Sequence, residues 1–372
     1  MKKSLLIIFS LLIIITLSAY IFFQKNVIKI GFVAGLSGKY SNLGHNVLDG
    51  FMLAFDEINY KINNEKVQIV IKDDMQKEQV AKRNIVDLEK EGINLIVGNT
   101  TSSMTKASLS KLVLYKNLFL FSPTASSSEF SNYDDNFFRL QVDNSKERFK
   151  LLSKYLIKNK LTNLYLIYDP KNKSYTNNYL HNLEDSLLEE GGKKYIATNT
   201  IDKGFKFILN DIKSKDDLDG IVIVANSLDT TRLIQYLRVN GIDKKIISSS
   251  WSKGKKFLED GGNAVEGTIF LTTYDLHSKD KKYLNFVKRF KNKYNYDPSV
   301  FSAQGYETAK VIIDILNKDS NLKNFKENIK KIKTFEGLQV KIFFNEFGDV
   351  YRDSFIVQVK NHKFKRLDFS LE

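Results

Sequence analysis

The chain has 372 residues, of which 42% are hydrophobic and 27% are charged. This composition excludes a disordered chain and leaves room for two domains, each with its own core. The net charge of +14 comes from lysines scattered among acidic residues, so it indicates a solvated basic surface and no nucleic-acid partner. The absence of cysteine excludes disulfides, thiolate metal sites, cysteine nucleophiles and a lipid-modified N-terminal cysteine.

A mostly apolar segment, residues 4–23, follows two lysines at the N-terminus. Its length of about 20 residues is enough to span a bilayer and exceeds the usual apolar core of a signal peptide. The lysines should stay in the cytoplasm, so the rest of the chain is expected to be exported, to the periplasm or the outer face of the cytoplasmic membrane. Residues 1–24 thus form either an uncleaved anchor, which we favour, or a signal peptide cut after Ala19, which would leave "YIFF" exposed.

Short apolar runs rich in β-branched and aromatic residues alternate with amphipathic stretches of helical periodicity. The runs predict strands at 27–34, 67–72, 93–98, 118–123, 164–169, 220–225 and 245–250. Strand followed by helix, repeated in both halves of the chain, indicates an α/β protein with two lobes and parallel sheets. In such sheets a ligand binds beyond the carboxyl ends of the strands, which here means a cleft between the lobes.

Sequence signatures of catalysis are weak or absent. The four histidines, His45, His181, His277 and His362, are far apart and show no metal-ligand spacing. There is no G-x-S-x-G motif, and "VAGLSGKY" misses the phosphate-binding loop at two positions. We therefore expect no catalytic residues, no metal and no cofactor.

Three hydroxyl-rich segments follow predicted strands of the first lobe: "GLSGKYSNLGHN", "GNTTSSMT" and "SPTASSSE". Any one of these serines or threonines is explained as a helix cap, but together they converge on one sheet edge. Free N–H groups and the dipole at a helix N-terminus attract a carboxylate or phosphate. Ser102 and Ser103 are therefore candidate anion-binding residues, in a site that needs no arginine.

Eight segments in order make the chain after residue 27 resemble the branched-chain amino acid binding proteins, which are ABC-importer solute receptors with the type I periplasmic binding fold. Among them are "IKIGFVAGLSGKYSNLGHNVLDGFMLAFDEIN", "LIVGNTTSSMT", "FLFSPTASSSEF", "LIYDPKNKSYTNNY" and "FSAQGYETAKVIIDIL". The resemblance implies two Rossmann-like lobes joined by three crossings and a permease as partner. It places lobe one at 27–143 plus 275–330 and lobe two at 144–274 plus 331–372.

The resemblance also implies site residues. Ser102 matches the serine that binds the ligand carboxylate, Thr124 and Ser126 match the loop that contacts carboxylate and ammonium, and Tyr175 matches a tyrosine that covers the ligand. Three positions depart from the family, and two of them lie in the second lobe. Trp251 stands where amino-acid binders carry the acid that pairs with the ammonium, and Asn226 stands, with its neighbour, where a tyrosine is frequent.

The third departure is in the first loop, where family members often carry an aromatic residue. Leu43 stands at that position in this chain, and Tyr40 lies three residues earlier. Trp251 is interpreted as a cavity wall for an apolar or planar ligand. The acids near the expected cleft that could replace the missing one are Glu129, Asp229, Asp275 and Glu307.

Two hypotheses remain. The first is an exported, membrane-tethered receptor that passes a small carboxylated ligand, an amino acid or a related acid or amide, to an importer. The second is a sensory protein of the same fold that reports ligand-induced closure to a partner. The sequence shows no kinase, methyl-accepting or coiled-coil segment, which favours the first, and an enzyme on this fold lacks a recognisable set of catalytic residues.

Overall fold

The computed structural model describes residues 27–370, which fold into two lobes, each built on a mostly parallel sheet with helices on its faces. Eleven α-helices lie in this range. They are α1 (Ser41–Asp56), α2 (Glu78–Lys90), α3 (Ser102–Leu112), α4 (Lys146–Lys158), α5 (Lys173–Glu189), α6 (Phe205–Lys213), α7 (Ser227–Val239), α8 (Lys255–Gly261), α9 (Lys281–Tyr294), α10 (Val300–Lys318) and α11 (Phe325–Ile332).

The sheet of the first lobe has six strands in the order β2-β3-β1-β4-β5-β6. Only β2, a short strand paired with β3, runs antiparallel. The strands are β1 (Val27–Ala34), β2 (Lys61–Ile62), β3 (Glu65–Asp73), β4 (Leu95–Gly98), β5 (Phe119–Ser122) and β6 (Phe137–Arg139). Most residues of β1, β4, β5 and β6 are buried, as expected for strands covered on both faces.

The sheet of the second lobe has seven strands in the order β16-β15-β11-β10-β9-β7-β8, and β15 and β16 are antiparallel to their neighbours. A separate three-stranded sheet, β12-β13-β14, precedes β15 and β16 in the chain. The strands are β7 (Leu164–Tyr168), β8 (Ala197–Thr200), β9 (Gly220–Val224), β10 (Lys245–Ser248), β11 (Ile269–Thr272), β12 (Thr334–Phe335), β13 (Ile342–Phe344), β14 (Val350–Tyr351), β15 (Phe355–Val359) and β16 (Phe364–Arg366).

The chain passes between the lobes three times, at 140–145, 273–280 and 352–354. The small sheet, which we expected in the second lobe together with the rest of 331–372, contacts the first lobe. Phe344 of β13 packs edge-on against Phe121 of β5, with ring centroids 6.0 Å apart. Asp349 accepts a hydrogen bond from the Arg139 side chain of β6. The second-lobe part of this C-terminal segment therefore begins at β15.

All seven predicted strands coincide with strands of the structure, which confirms the α/β, two-lobed expectation. The carboxyl ends of β1, β4 and β5 lie side by side, because β4 pairs with both β1 and β5. Gly98 makes the turn out of β4 possible: its φ is +134°, and a Cβ there would lie 2.0 Å from the Val33 carbonyl oxygen. The hydroxyl-rich segments thus converge on one sheet edge, facing the second lobe.

Candidate ligand-binding site

A cavity of about 50 Å³ lies between the two lobes, beyond the carboxyl ends of β4, β5, β7, β10 and β11. Its walls come from loops and helix ends of both lobes, and most of the polar atoms belong to hydroxyls and amides. The lining residues are Leu43, Thr100, Thr101, Ser102, Thr124, Ser126, Gln141, Asn144, Arg148, Phe149, Asn172, Tyr175, Tyr179, Ser250, Trp251, Leu271, Thr272, Thr273, Val300, Phe301 and Gln304.

Five of the eight predicted site residues line this cavity. They are Ser102, Thr124 and Ser126 from the first lobe, and Tyr175 and Trp251 from the second. The clustering follows from the parallel sheets, since these residues come after the carboxyl ends of four different strands, β4, β5, β7 and β10.

Ser102 is the first residue of α3 and is 2% exposed. Its Oγ accepts hydrogen bonds from the backbone N–H groups of Ser126 (3.2 Å) and Ser127 (3.3 Å). A hydroxyl that accepts twice still carries its own hydrogen, which is then available to a ligand oxygen. The N–H of a first helical residue also has no acceptor within its helix. Ser102 therefore offers a carboxylate two donors backed by the helix dipole.

Thr124 has a different part in this site. Its Oγ1 donates a 2.7 Å hydrogen bond to the carbonyl oxygen of Thr100, which ties the loop after β5 to the loop after β4. With its hydrogen used in this way, the hydroxyl of Thr124 remains an acceptor only. Thr124 thus positions the loop that carries Ser126.

Aromatic rings of the second lobe form the opposite wall. Trp251 and Tyr175 are each 8% exposed and pack edge to face, with ring centroids 5.6 Å apart. Burial raises the pKa of Tyr175 to about 12, so its phenol is neutral at physiological pH. This wall gives the ligand apolar contacts without any charge.

Tyr40, Ser103 and Asn226 are not among the residues that line the cavity. Tyr40 stacks on Trp251 at 5.9 Å and donates a hydrogen bond across the cleft to Asp169. Ser103 joins the lobes through its N–H, which donates to Asn172 Oδ1 at 3.0 Å. Asn226 caps α7 and donates to Asp229. The structure thus places the first two in contacts between the lobes and the third at a helix start.

The sequence analysis missed several lining residues, above all Arg148, Tyr179 and Gln304. Tyr179 lies four residues after Tyr175 on α5, a spacing that puts both rings on one helix face and was a usable signal. Gln304 lies on α10, and its side-chain amide donates a hydrogen bond to Gln141 of the first crossing. Arg148, in the first turn of α4, is the one charged residue of the lining, so the expectation of a site without arginine differs from what is found.

No acid takes the place of the missing ammonium partner in the lining, and each of the four candidates has other partners. Glu307 pairs with Arg352 at 2.6 Å in a separate buried cluster. Asp229 pairs with Lys39 at 2.7 Å, and Glu129 pairs with Lys106 at 2.5 Å. Asp275 accepts from the N–H of His277 at the second crossing. An ammonium group in the cavity would therefore be buried without a carboxylate, at high cost in free energy.

A metal site is also lacking in the part of the chain that the structure describes: no cluster of three or more His, Cys, Asp or Glu side chains has suitable geometry. None of the helices between residues 27 and 370 has the length and apolar character needed to cross a membrane. The hydrophobic segment 4–23 and its expected role as an anchor lie outside the described residues.

The chain belongs to the periplasmic binding protein family, whose model matches residues 27–363. It is therefore a solute-binding protein of the ABC-transporter type, and the expectation that it is not an enzyme is confirmed because proteins of this family bind solutes without catalysis.

One curated protein and two solved structures are similar to this chain. The Leu/Ile/Val-binding protein BraC3 of Rhizobium johnstonii is 25% identical over 345 residues, which cover 88% of this chain and 90% of the relative. The structure of the substrate-binding protein LivJ from Streptococcus pneumoniae, in complex with isoleucine, matches with a TM-score of 0.81 at 24% identity, covering 91% of this chain and 98% of LivJ. A solute-binding protein from R. palustris in complex with benzoate matches with a TM-score of 0.82 at 18% identity, covering 92% and 96%. The predicted family and two-lobed fold are confirmed.

Proposed function

We propose that this protein is the extracytoplasmic receptor of an ABC importer and that its ligand is a small carboxylate without an ammonium group. The observation that carries the proposal is the charge of the cavity lining, in which one arginine and several hydroxyl and amide donors occur without any carboxylate. Such a lining stabilises a negative charge and leaves a positive charge unpaired.

The ligands of the relatives fit this division of roles. Isoleucine, present in the LivJ structure, carries a carboxylate and an ammonium, whereas benzoate, present in the R. palustris protein, carries only a carboxylate. The carboxylate is common to both, and in this chain the donors around Ser102 are the elements that fit it. Trp251 occupies the position where the resemblance implies the acid for the ammonium, so the benzoate type of ligand fits better.

The proposed location and partners follow from the same role. A receptor of this class meets its solute outside the cytoplasm and passes it to a membrane permease. Residues 4–23 would hold the protein at the outer face of the membrane, with the two preceding lysines on the cytoplasmic side. The cavity is too small for a macromolecule, so a small molecule is the ligand.

A thermal-shift screen tests this proposal on protein comprising residues 27–372. The panel contains amino acids, their deaminated acids, the matching amides and aromatic acids. A ligand at 100 times its Kd adds about 2.7 kcal/mol to the stability, which gives a clear rise in Tm. We expect acids without an ammonium group to give the largest rises. A screen in which only uncharged or cationic compounds stabilise the protein would overturn the proposal.

A further inference from the structure

Arg148 lies in the cavity wall with much of its hydrogen-bonding capacity unused. Its contacts to the described residues all involve Nη1, which donates to Asn144 Oδ1 at 2.7 Å and reaches the carbonyl oxygens of Val142 and Asp143 at 3.4 Å. The Nε–H is buried and has no partner there. A guanidinium carries five N–H donors, so most of them remain for a ligand.

Two neighbouring side chains of the lining also end in unpartnered polar atoms. Asn144 is 1% exposed; its Oδ1 accepts from Arg148, while its Nδ2 has no partner among the described residues. Tyr179 is 4% exposed and its hydroxyl is likewise unpartnered. Burial raises the pKa of Tyr179, so the hydroxyl keeps its hydrogen. Other buried polar atoms of the described residues also lack partners, but these three belong to residues that line the same cavity. Their shared location points to a ligand group that satisfies them.

Among the described residues, no carboxylate forms an ion pair with Arg148. Asp143 is the acidic neighbour in sequence, but its Oδ2 lies 3.5 Å from the Arg139 guanidinium and accepts a hydrogen bond from Ser131. Burial lowers the pKa of Arg148 because the cationic form loses solvation. A buried arginine with free donors matches the planar geometry of a carboxylate, which it binds through two parallel hydrogen bonds.

We infer that Arg148, Asn144 and Tyr179 form a second anion subsite and that the ligand is a short dicarboxylate. The inference rests on the proposed function, in which the first carboxylate binds at Ser102. Ser102 belongs to the first lobe and Arg148 to the second, so a ligand with two acidic ends links the lobes and favours closure.

The test uses fluorescence titration, because Trp251 is the only tryptophan of the chain and lines the cavity. The probes are matched pairs: succinate with butyrate, and glutarate with pentanoate. For the unchanged protein we expect the dicarboxylate of at least one pair to bind ten times or more tightly than its monocarboxylate. Arg148→Met should reduce this preference below threefold, because it should weaken the binding of the dicarboxylate more than that of the monocarboxylate.

Lys150→Met is the matched control, since Lys150 lies on the same helix with a side chain 51% exposed and outside the lining. It should keep the full preference. Tyr179→Phe, which removes a single oxygen, should lower the preference for the dicarboxylate about threefold. This variant tests the subsite if Arg148→Met does not fold.

Two results overturn the second subsite alone: monocarboxylates that bind as tightly as their dicarboxylates, or a preference that survives in both Arg148→Met and Tyr179→Phe. If neither class of probe binds at millimolar concentration while an amine or sugar does, the proposed carboxylate function fails as well. The first two results leave carboxylate binding at Ser102 intact, so the failures are distinguishable.

Discussion

The hydroxyl of Tyr40 in the first lobe donates a 2.7 Å hydrogen bond to Oδ2 of Asp169 in the second lobe. Asp169 is 1% exposed, and its other oxygen accepts from the N–H of Lys171. The ring of Tyr40 also stacks on Trp251, and Lys39 reaches Asp229 of the second lobe. These contacts hold the cleft closed over the cavity, so the structure shows the closed arrangement of the two lobes.

Removing this hydrogen bond should favour the open form. A hydrogen bond to a charged group is worth about 1.5–3 kcal/mol, and a closed state that loses this amount is less populated. We therefore expect Tyr40→Phe to weaken the binding of an acid found in the thermal-shift screen about tenfold or more, although Tyr40 does not line the cavity. Small-angle scattering should show a decrease in radius of gyration when ligand is added to the unchanged protein. Identical profiles with and without saturating ligand would argue against closure by a hinge.

Ser102→Ala should weaken binding of the same acid by about 1.5–3 kcal/mol, because a donor to a charged oxygen is lost. The same replacement also affects folding, because Ser102 Oγ accepts hydrogen bonds from two buried N–H groups. We therefore also expect a loss of about 1–3 kcal/mol in unfolding free energy, measured by urea denaturation.

The control for this variant is Ser108→Ala on the same helix. Ser108 is fully buried, lies outside the cavity lining, and its hydroxyl has no partner among the described residues. Its replacement should leave both affinity and stability nearly unchanged. Equal ligand affinity of Ser102→Ala and the unchanged protein would show that the ligand carboxylate does not bind at Ser102.

Lys253 predicts a pH dependence of stability. It is 1% exposed, its Nζ donates to the Tyr274 carbonyl oxygen at 3.2 Å, and burial lowers its pKa to about 7. The unfolded chain, with a lysine pKa near 10.4, therefore binds more protons than the folded chain between about pH 7 and 10. Stability should rise with pH in this window, with a contribution of at most about 1.4 kcal/mol per pH unit.

Lys253→Met removes the cost of burying this amine. Its gain in Tm over the unchanged protein should be largest below pH 7 and shrink toward pH 10. Lys256→Met, at a side chain 56% exposed, serves as the control and should show no such trend. A difference in Tm between Lys253→Met and the unchanged protein that stays constant from pH 6 to 10 would show that Lys253 is not buried in its neutral form.

The N-terminal segment leads to a prediction of a different kind. Residues 4–23 are expected to stay on the protein as an anchor. Mass spectrometry of protein purified from native membranes should therefore detect peptides that contain Met1–Phe23. A mature chain that begins near Tyr20 would identify the segment as a cleaved signal peptide.

Features set by local sequence were predictable, and features set by distant contacts were not. The strand β4 and the helix start at Ser102 follow from an apolar run, a glycine and a cluster of hydroxyls, all within about ten residues. The short strand β6 was missed because it ends in a charged residue, Arg139, whose burial depends in part on Asp349, a partner 210 positions away. A strand of three residues carries too little periodicity to be recognised.

Arg148 shows the same limit within the site. It sits in the first turn of an amphipathic helix, where a charged residue normally faces solvent. Its placement in the cavity depends on how the first crossing and α5 pack around it, which one sequence does not show. By contrast, the absence of an acid at Trp251 was visible from the resemblance and agrees with a lining that contains no carboxylate.

Calorimetry on pairs of compounds that differ only in the ammonium group tests the central claim most directly. The pairs are leucine with 4-methylpentanoate and glutamate with glutarate. Trp251→Glu adds an acid to the cavity wall, so it should shift the preference in each pair toward the amino acid. Trp251→Gln, which adds no charge, is the control for this variant. For the unchanged protein we expect the acid without the ammonium to bind more tightly in the pair that binds. Tighter binding of the amino acid by more than tenfold would contradict the account, because it would show that the cavity recognises an ammonium group.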